Sequence, residues 1–316
     1  MPSYNTLVSE FLNKSDEMTL TFLSENFHNL ANYMAMPLSL MSILYVVILG
    51  YLILFGKVQV SSQAFIKLAL SIGGVNVFAL SWLYFNDFFV ALFLNVASDI
   101  SSVGANSHYF DFTHLVNTGS GVNDALQTVL TESVEVGVNI MKHVRITNWL
   151  PILVGLNFVG GGTTVVALGL IEISMIKFFI CLLLSTAPLF IPLYLFEETR
   201  QMYKSWLGLL AGFSFALVFS GLTIGMAMSW MHWVIAPLHQ SDQFDLRAPI
   251  IVPLFVVEIL AILVFIAVIP LAKSIGGAVG GGGSHTDGVL SAGQSLAKKA
   301  FGAANKAHSM YKGGTK

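Results

Sequence analysis

The stretch that decides the fold runs from Trp149 to Trp233. It begins WLPILVGLNFVGGGTTVVALGLIEISMIKFFICLLLSTAPLFIPLYLF, continues through the polar residues EETRQMYK at 197–204, and ends SWLGLLAGFSFALVFSGLTIGMAMSWMHW. Charge-poor runs of this length need lipid as their solvent, because a soluble domain has no interior wide enough to bury them. The sequence therefore predicts a membrane unit that is cut once by a polar hinge at 197–205.

The composition of the whole chain supports the same class. Of its 316 residues, 55% are hydrophobic and only 10% are charged, whereas soluble domains average about 25% charged residues. The net charge of -2 gives no global field that would attract nucleic acid. The single cysteine, Cys181, excludes an internal disulfide and a cysteine-based metal cluster. These values predict an all-α, polytopic membrane protein.

Apolar runs and the loop signals between them predict about five transmembrane spans with amphipathic helices outside the membrane. The predicted segments are an amphipathic N-terminal arm at 1–32, two spans within 33–96 (33–56 and 68–96), a central polar loop at 97–148 with a helix at 123–143, a glycine-rich membrane bundle at 149–271, and a flexible basic tail at 272–316. The arm either lies against the first span or docks a partner. The piece 149–196 is either two spans with a tight turn or one long span preceded by a re-entrant or interfacial helix.

The helix in the central loop is predicted from its cap and its apolar stripe. Asn123 and Asp124 are suited to cap a helix that ends near His143. The stripe along one face consists of Leu126, Leu130, Val134, Val138 and Met141. This stripe is predicted to pack on the membrane unit or on a second copy of itself.

Charge counting does not decide the orientation of the first half of the chain. A five-span layout places ten basic residues inside and four outside, and a six-span layout with both ends inside places eleven inside and three outside. Both layouts satisfy the positive-inside rule. They agree that Arg200 and the basic tail are cytoplasmic, and they differ on where residues 1–148 lie.

Small residues recur along the segment after the hinge. One row consists of Gly208, Gly212, Ala216 and Ser220, and a second row of Gly221, Gly225 and Ser229. Small residues every fourth position let two helix backbones approach closely in a membrane. The pattern predicts a packing face, whose neighbour is either in the same chain or in another subunit.

Four ionisable residues lie within apolar runs: Asp87, Glu172, Lys177 and Glu258. A charged side chain at the bilayer centre costs about 2.5–3.5 kcal/mol on insertion scales. Glu172 and Lys177 are five residues apart and do not share a helix face, so each needs a separate partner, a path to the interface or a water-filled lumen. The functional interpretation is an ion or proton path, and the alternative is a residue at a span boundary.

The sequence offers no catalytic motif. Zincin, nucleophile-elbow, Walker A and dinucleotide-binding patterns are all absent from it. His108, Asp111 and His114 lack a fourth ligand and fit an ordinary loop better than a metal site. We therefore predict a protein that is not an enzyme, with no catalytic, cofactor-binding or metal-ligating residues.

The residues around the hinge resemble a signature of a known family. Ala187-Pro188-Leu189-Phe190, then Phe196, Thr199-Arg200 and Trp206-Leu207, are similar to the hinge of the TrbL/VirB6 family of bacterial type IV secretion and conjugation systems. The order of arm, two spans, polar loop, glycine-rich cluster and loose tail also resembles that family. The specific residues cover about 187–207, and the layout covers most of the chain.

The resemblance implies five spans, a periplasmic N-terminus and a cytoplasmic C-terminus in the bacterial inner membrane. It implies a homo-oligomer in the lipid bilayer that contacts a minor pilin, scaffold subunits and cytoplasmic ATPases, and that supports pilus assembly and the transfer of DNA or protein. DNA would be met only as transferred substrate. Pro188, Arg200 and Trp206 would be structural or interaction residues.

An alternative function is a secondary transporter of a small solute or ion, with glycine-broken helices and charges near the membrane midplane. The absence of an internal repeat argues against it. A transporter should lose uptake when Glu258 is neutralised, and it should work as a monomer or dimer.

Overall fold

The computed structural model describes residues 6–56, 62–105, 121–142, 150–239, 253 and 255–267. The regular elements in these ranges are α1 (Leu7–Leu54), α2 (Ser62–Leu80), α3 (Trp82–Phe85), a π-helical segment (Asn86–Asn95), α4 (Val96–Ala105), α5 (Gly121–Lys142), α6 (Leu150–Ser185), α7 (Ala187–Phe190), a 3₁₀ segment (Ile191–Tyr194), α8 (Glu197–His239) and α9 (Phe255–Ala267). The predicted all-α class is confirmed for this part of the chain. The histidines of the central loop and the tail at 272–316 lie outside the described residues.

Four helical stretches are long and apolar enough to cross a membrane: Leu7–Leu54, Trp82–Val103, Pro151–Ser185 and Glu197–Met231. Two shorter apolar helices, Ala69–Leu80 and Phe255–Ala267, lie where the second and last spans were predicted. This arrangement confirms a polytopic helical membrane protein.

The first helix joins the predicted arm and the predicted first span without a break. α1 has 48 residues and continues through Pro37. It stops where Gly56 adopts a φ of 66°, a left-handed conformation that glycine reaches without a Cβ clash. Part of the arm's apolar surface is buried inside the chain, at Val8, Leu12, Leu23 and Phe27, whereas neighbouring apolar side chains such as Met18 are exposed.

The predicted second span is bent in its middle. Ser81 has extended backbone angles, φ -102° and ψ 110°, so α2 ends at Leu80 and α3 begins at Trp82. Aromatic packing holds the bend against α1, because Phe27 stacks on Phe85 with ring centroids 4.5 Å apart and lies 5.3 Å from Trp82. Asn76 on α2 also donates to Ser42 Oγ on α1 at 3.2 Å. The bent segment formed by α2 and α3 therefore packs along α1.

The piece 149–196 is mostly one helix. α6 runs for 36 residues from Leu150 to Ser185 and passes without a break through Gly155 and the run Gly160–Gly162. The chain then reverses, and α8 returns along α6 for 43 residues. The π-helical segment lies against α8, where Ser214 Oγ donates to Phe93 O at 2.7 Å. α6 and α8 form the centre of the bundle, and the other helices pack around them.

Helix α5 lies against the glycine-rich half of α6. A Cβ at Gly137 or Gly155 would collide with the carbonyl oxygen of the other, and a Cβ at Gly162 would collide with Ser133. Leu126 and Leu130 of the predicted stripe are buried together with Val129 and Ile140, whereas Val138 is 40% exposed. The first part of the stripe thus packs on the membrane unit, and small residues of both helices make the contact with α6 farther along.

Candidate functional site

The first part of the site is the reversal between α6 and α8. Two prolines make it: Pro188 lies in the first turn of α7, and Pro192 in the first turn of the 3₁₀ segment. Neither proline has an N–H to continue the helical bonding of α6, and each ring would clash with the carbonyl four residues earlier. The chain therefore turns at 186–196, and the polar residues 197–205, which were predicted as the hinge, form the first turns of α8.

Trp206 is the anchor of this reversal. Its indole is 3% exposed, its Nε1 donates to Leu183 O at 3.1 Å, and its ring stacks on Phe190 with centroids 5.7 Å apart. Leu183 lies in the last turn of α6, and its carbonyl oxygen also accepts hydrogen bonds from the backbone N–H and the hydroxyl of Thr186, at 3.2 and 2.7 Å. Trp206 thus joins the bonds at the end of α6, packs on α7 and begins the core contact of α8.

Thr199 and Arg200 close the same reversal from the start of α8. Thr199 Oγ1 donates to Leu193 O at 2.8 Å, and Arg200 Nε donates to Tyr194 O at 3.3 Å. The Arg200 guanidinium also lies 5.3 Å from the centre of the Tyr194 ring, within cation–π range. The structure therefore places the hinge residues Pro188, Arg200 and Trp206 in the reversal or in the first turns of α8 that pack on it.

The second part of the site is a polar cavity of about 250 Å³ between α1, α4, α5, α6 and α8. Serine and asparagine side chains supply much of its lining, which includes Asn13, Ser98, Ser101, Ser102 and Asn123. This volume equals that of about eight water molecules at 30 Å³ each. A cavity with this lining can hold water inside the bundle.

An ion pair borders the cavity. Lys177 Nζ on α6 lies 2.9 and 2.7 Å from the two carboxylate oxygens of Asp16 on α1. The side chains are 16% and 37% exposed, respectively. Lys177 thus pairs with Asp16 of the predicted arm and not with Glu172, as its five-residue separation from Glu172 predicted.

Glu172 is buried without a visible counter-charge. It is 5% exposed, and neither carboxylate oxygen has a hydrogen-bond partner within the described ranges. Ser220 of α8 lies beside the carboxylate, but its hydroxyl also completes no hydrogen bond there. A buried polar group without a partner costs about 1–3 kcal/mol, and more when it is charged. Such a group is a candidate for a function other than stability.

Glu258 joins α9 to the glycine-rich part of α6. It is 6% exposed, and the amide nitrogen of Asn157 lies 3.4 and 3.5 Å from its carboxylate oxygens. A Cβ at Gly161 would occupy the space of this carboxylate. The glutamate therefore fits a slot that only glycine provides. Asp87, by contrast, is exposed on the π-helical segment and takes no part in these clusters.

The two small-residue rows of α8 are used inside the chain. Gly208, Gly212, Gly221 and Gly225 are all buried. A Cβ at Gly221 would collide with Ser101 of α4, both its side chain and its backbone. The sequence did not decide which helix packs on Gly221. That helix is therefore α4 of the same chain.

Sequence reasoning missed three features of the site. Asp16 and Asn157 were not among the predicted residues. Asp16 pairs with Lys177, and Asn157 donates to Glu258, and both of those charged residues were predicted to need a partner. Gly155, Gly162 and Gly169 recur every seven residues, two helical turns, and all three face α5. That spacing is a signal of a helix-packing face, like the rows of small residues in α8.

We expect Lys177→Met to lower the free energy of unfolding by about 1–2 kcal/mol, because Asp16 is left half-buried without its cation. The double variant Asp16→Leu/Lys177→Met should recover most of that loss, since both charges are gone. Lys14→Met is the matched control, because the Lys14–Glu17 pair is 59% and 66% exposed and surface pairs contribute about 0–1 kcal/mol. Denaturation in detergent micelles measures all three. Equal losses in the single and double variants would contradict a coupled pair.

The sequence over most of the described bundle matches a known family. A sequence model of the TrbL/VirB6 plasmid conjugal transfer protein family matches residues 42–270, well over half of the chain. The chain belongs to the TrbL/VirB6 family. The matched range of this TrbL/VirB6 protein includes the α6–α8 reversal and the cavity-lining residues of α4, α5, α6 and α8, whereas Asn13 and Asp16 of α1 precede it.

Curated relatives agree with the family. Type IV secretion system protein VirB6 of Bartonella henselae (strain Houston 1) is 24% identical over 280 residues, which cover 87% of this chain and 80% of the relative. The protein of the same name from Bartonella quintana (strain Toulouse) has the same identity and coverage. This TrbL/VirB6 protein is thus a multi-pass inner-membrane component of type IV secretion machinery, and it works with other subunits of that machinery.

Proposed function

We propose that the protein is a platform and channel component at the inner membrane, and that it supports pilus assembly and the transfer of DNA or protein as a homo-oligomer. The observation that carries this proposal is the family match over residues 42–270. The role is structural: the protein positions partners and borders a path, and it performs no catalysis. Its proposed partners are a minor pilin, scaffold subunits and cytoplasmic ATPases.

The size of the polar cavity supports a path between copies. About eight water volumes are too few for the polar cavity itself to hold a nucleic-acid strand or an unfolded polypeptide. The small-residue face of α8 is already covered inside the chain, so contacts between copies must use other surfaces. The proposed transfer path is therefore enclosed by several subunits, with the polar cavity as a hydrated part of each wall.

The directions of the helices support the five-span layout. Gly155 of α6 contacts α5, and Leu183 near the other end of α6 contacts Trp206. At about 1.5 Å per residue these positions are about 42 Å apart, more than the hydrocarbon core of about 30 Å. The C-terminal end of α5 and the reversal therefore lie at opposite ends of α6, although the start of α5 reaches Gly169. The six-span layout would put Lys142 and Arg200 on the same side. We propose a periplasmic N-terminus and α5, and a cytoplasmic reversal and C-terminus.

Topology reporters test this orientation directly. A phosphatase inserted at Thr118 is expected to be active, because the loop is periplasmic, and one inserted at His285 is expected to be inactive. A fluorescent protein that matures only in the cytoplasm should give the opposite pattern. Periplasmic signals at both positions would overturn the proposed orientation.

Copy number and partners test the platform. Native mass measurement of the protein in mild detergent is expected to show more than two copies, with pilin and ATPase subunits retained. Deletion should abolish substrate transfer, and the wild-type chain should restore it. A solitary monomer whose deletion leaves transfer intact would overturn the proposal.

Substitution of Glu172 tests whether its carboxylate has a functional or a structural role. We expect Glu172→Met to raise the free energy of unfolding by about 1–2 kcal/mol, because a nearly isosteric apolar side chain replaces a buried carboxylate that has no hydrogen-bond partner among the described residues. We expect the same variant to transfer less substrate than wild type, which loss of a purely structural group would not cause in a more stable protein. The control Glu17→Met lies on the exposed face of α1 and should change stability by less than about 0.5 kcal/mol. Lower stability of Glu172→Met would show that the carboxylate has a structural partner.

A further inference from the structure

A second cavity lies beside the reversal and is apolar. It measures about 620 Å³, and α2 contributes Leu70, Gly74 and Phe78 to one wall. Phe88 and Phe89 of the π-helical segment form its back. Leu70 is 70% exposed and Phe88 55% exposed, so the groove opens toward the surroundings of the protein. In a membrane-spanning chain those surroundings are lipid or another protein.

One end of the groove is polar and aromatic. Tyr194 and Tyr203 line it there, with ring centroids 5.5 Å apart. Arg200 lies against Tyr194, and Lys204 follows Tyr203 in the chain, one helical turn after Arg200 and on the same face of α8. Tyrosines and cations beside an apolar surface are the side chains that anchor proteins at the membrane interface.

The two cations are available to a ligand. Within the described ranges neither Arg200 nor Lys204 forms an ion pair, although Glu197 and Glu198 are close in sequence. Arg200 uses Nε for Tyr194 O, which leaves its terminal nitrogens for another acceptor. Guanidinium and ammonium groups side by side are suited to a phosphate.

The volume of the groove favours a lipid over a helix. One turn of helix, about 5.4 Å long and about 10–12 Å wide, already fills about 500 Å³, so the groove has room for little more than one turn. A thin, flexible acyl chain fits a volume in the range of about 300–1,000 Å³ that small-ligand pockets occupy. We propose that this groove binds one anionic phospholipid, with an acyl chain between α2 and the π-helical segment and its phosphate at Arg200 and Lys204.

Two neighbouring glycines give a matched test. A Cβ at Gly74 or at Gly73 meets no atom within 4 Å, so leucine is sterically allowed at both positions. Gly74 lines the groove, whereas Gly73 does not border it. Gly74→Leu should fill the groove, and Gly73→Leu should leave it open at the same cost in helix backbone.

The experiment is native mass spectrometry of the full chain with added phosphatidylglycerol or phosphatidylcholine. We expect wild type and Gly73→Leu to retain phosphatidylglycerol in preference to phosphatidylcholine, and Gly74→Leu to lose that preference. Lys204→Gln should weaken phosphatidylglycerol binding about fivefold, the effect of one cation near an anionic lipid, and the surface control Lys14→Gln should leave it unchanged. If Gly74→Leu fails to fold, the effect of Lys204→Gln on phosphatidylglycerol binding tests the proposal instead.

Three results would overturn the proposal. The first is equal phosphatidylglycerol retention by Gly74→Leu and Gly73→Leu, and the second is equal retention of the two lipids by wild type. The third is a photo-cross-linking residue at Leu70 that joins in membranes to another protein chain, which would make the groove a protein-docking surface.

Discussion

Replacing Trp206 by alanine is expected to lower the free energy of unfolding by about 3 kcal/mol. Large-to-small substitutions of buried tryptophan cost about 3–5 kcal/mol in soluble cores. The lower end applies here, because lipid is as apolar as the protein interior and the loss comes from packing and hydrogen bonding. The indole is 3% exposed, and the substitution removes its bond to Leu183 O and its stack on Phe190.

Two further variants assign the loss at Trp206. Trp206→Phe keeps an aromatic ring but removes the donor, so its cost should be near the value of one hydrogen bond, about 1 kcal/mol. Trp233→Ala is the matched control, because Trp233 is 69% exposed on the same helix and should change stability by less than about 0.5 kcal/mol. Thermal or denaturant unfolding in micelles measures the three variants. Equal effects at Trp206 and Trp233 would mean that the indole does not anchor the reversal.

Introducing valine at Gly221 is expected to lower the free energy of unfolding by about 3 kcal/mol. A Cβ there would collide with the side chain and the backbone of Ser101, and backbone cannot rotate away as a long side chain can. Overpacking costs typically about 1–3 kcal/mol, and more where the neighbour is rigid. The expected consequence is separation of α4 from α8 at the polar cavity that Ser101 helps to line.

Gly160→Val is the control for Gly221→Val. It places the same β-branched residue inside a helix, but a Cβ at Gly160 meets nothing within 4 Å. Its effect should stay within about 1 kcal/mol, which is the range of helix propensity between these residues. A cysteine pair introduced on α4 and α8 would report separation of the helices by slower cross-linking. If both glycine variants were equally stable, the α4–α8 contact would be looser than the structure shows.

The reversal shows what sequence alone could provide. Pro188, Arg200 and Trp206 were recognised through a family resemblance, and they lie in the reversal or in the first turns of α8 that pack on it. The turn itself was placed at 197–205 because polarity was taken as the mark of a hinge. Pro188 and Pro192 end α6 earlier for a stereochemical reason that was already visible in the sequence.

The partners of the buried charges show what sequence could not provide. Lys177 and Asp16 are 161 residues apart in the chain, and Asn157 is 101 residues from Glu258. No periodicity within one helix specifies which other helix lies opposite. Only the packing of α1 and α9 on α6 supplies those pairs, and that packing depends on the glycines of α6.

The length of α1 has a mechanical consequence. Its 48 residues extend about 72 Å at about 1.5 Å per residue. Even at a tilt of about 40°, near the upper limit for transmembrane helices, a hydrocarbon layer of about 30 Å holds only about 26 of them. About 22 residues must therefore lie outside the hydrocarbon layer. Val8, Leu12, Leu23 and Phe27 in the N-terminal half of α1 are buried against the rest of the chain, and Asp16 pairs with Lys177 of α6. A displacement of that half of α1 would therefore act on α6 as well as on the membrane-embedded end at Leu54.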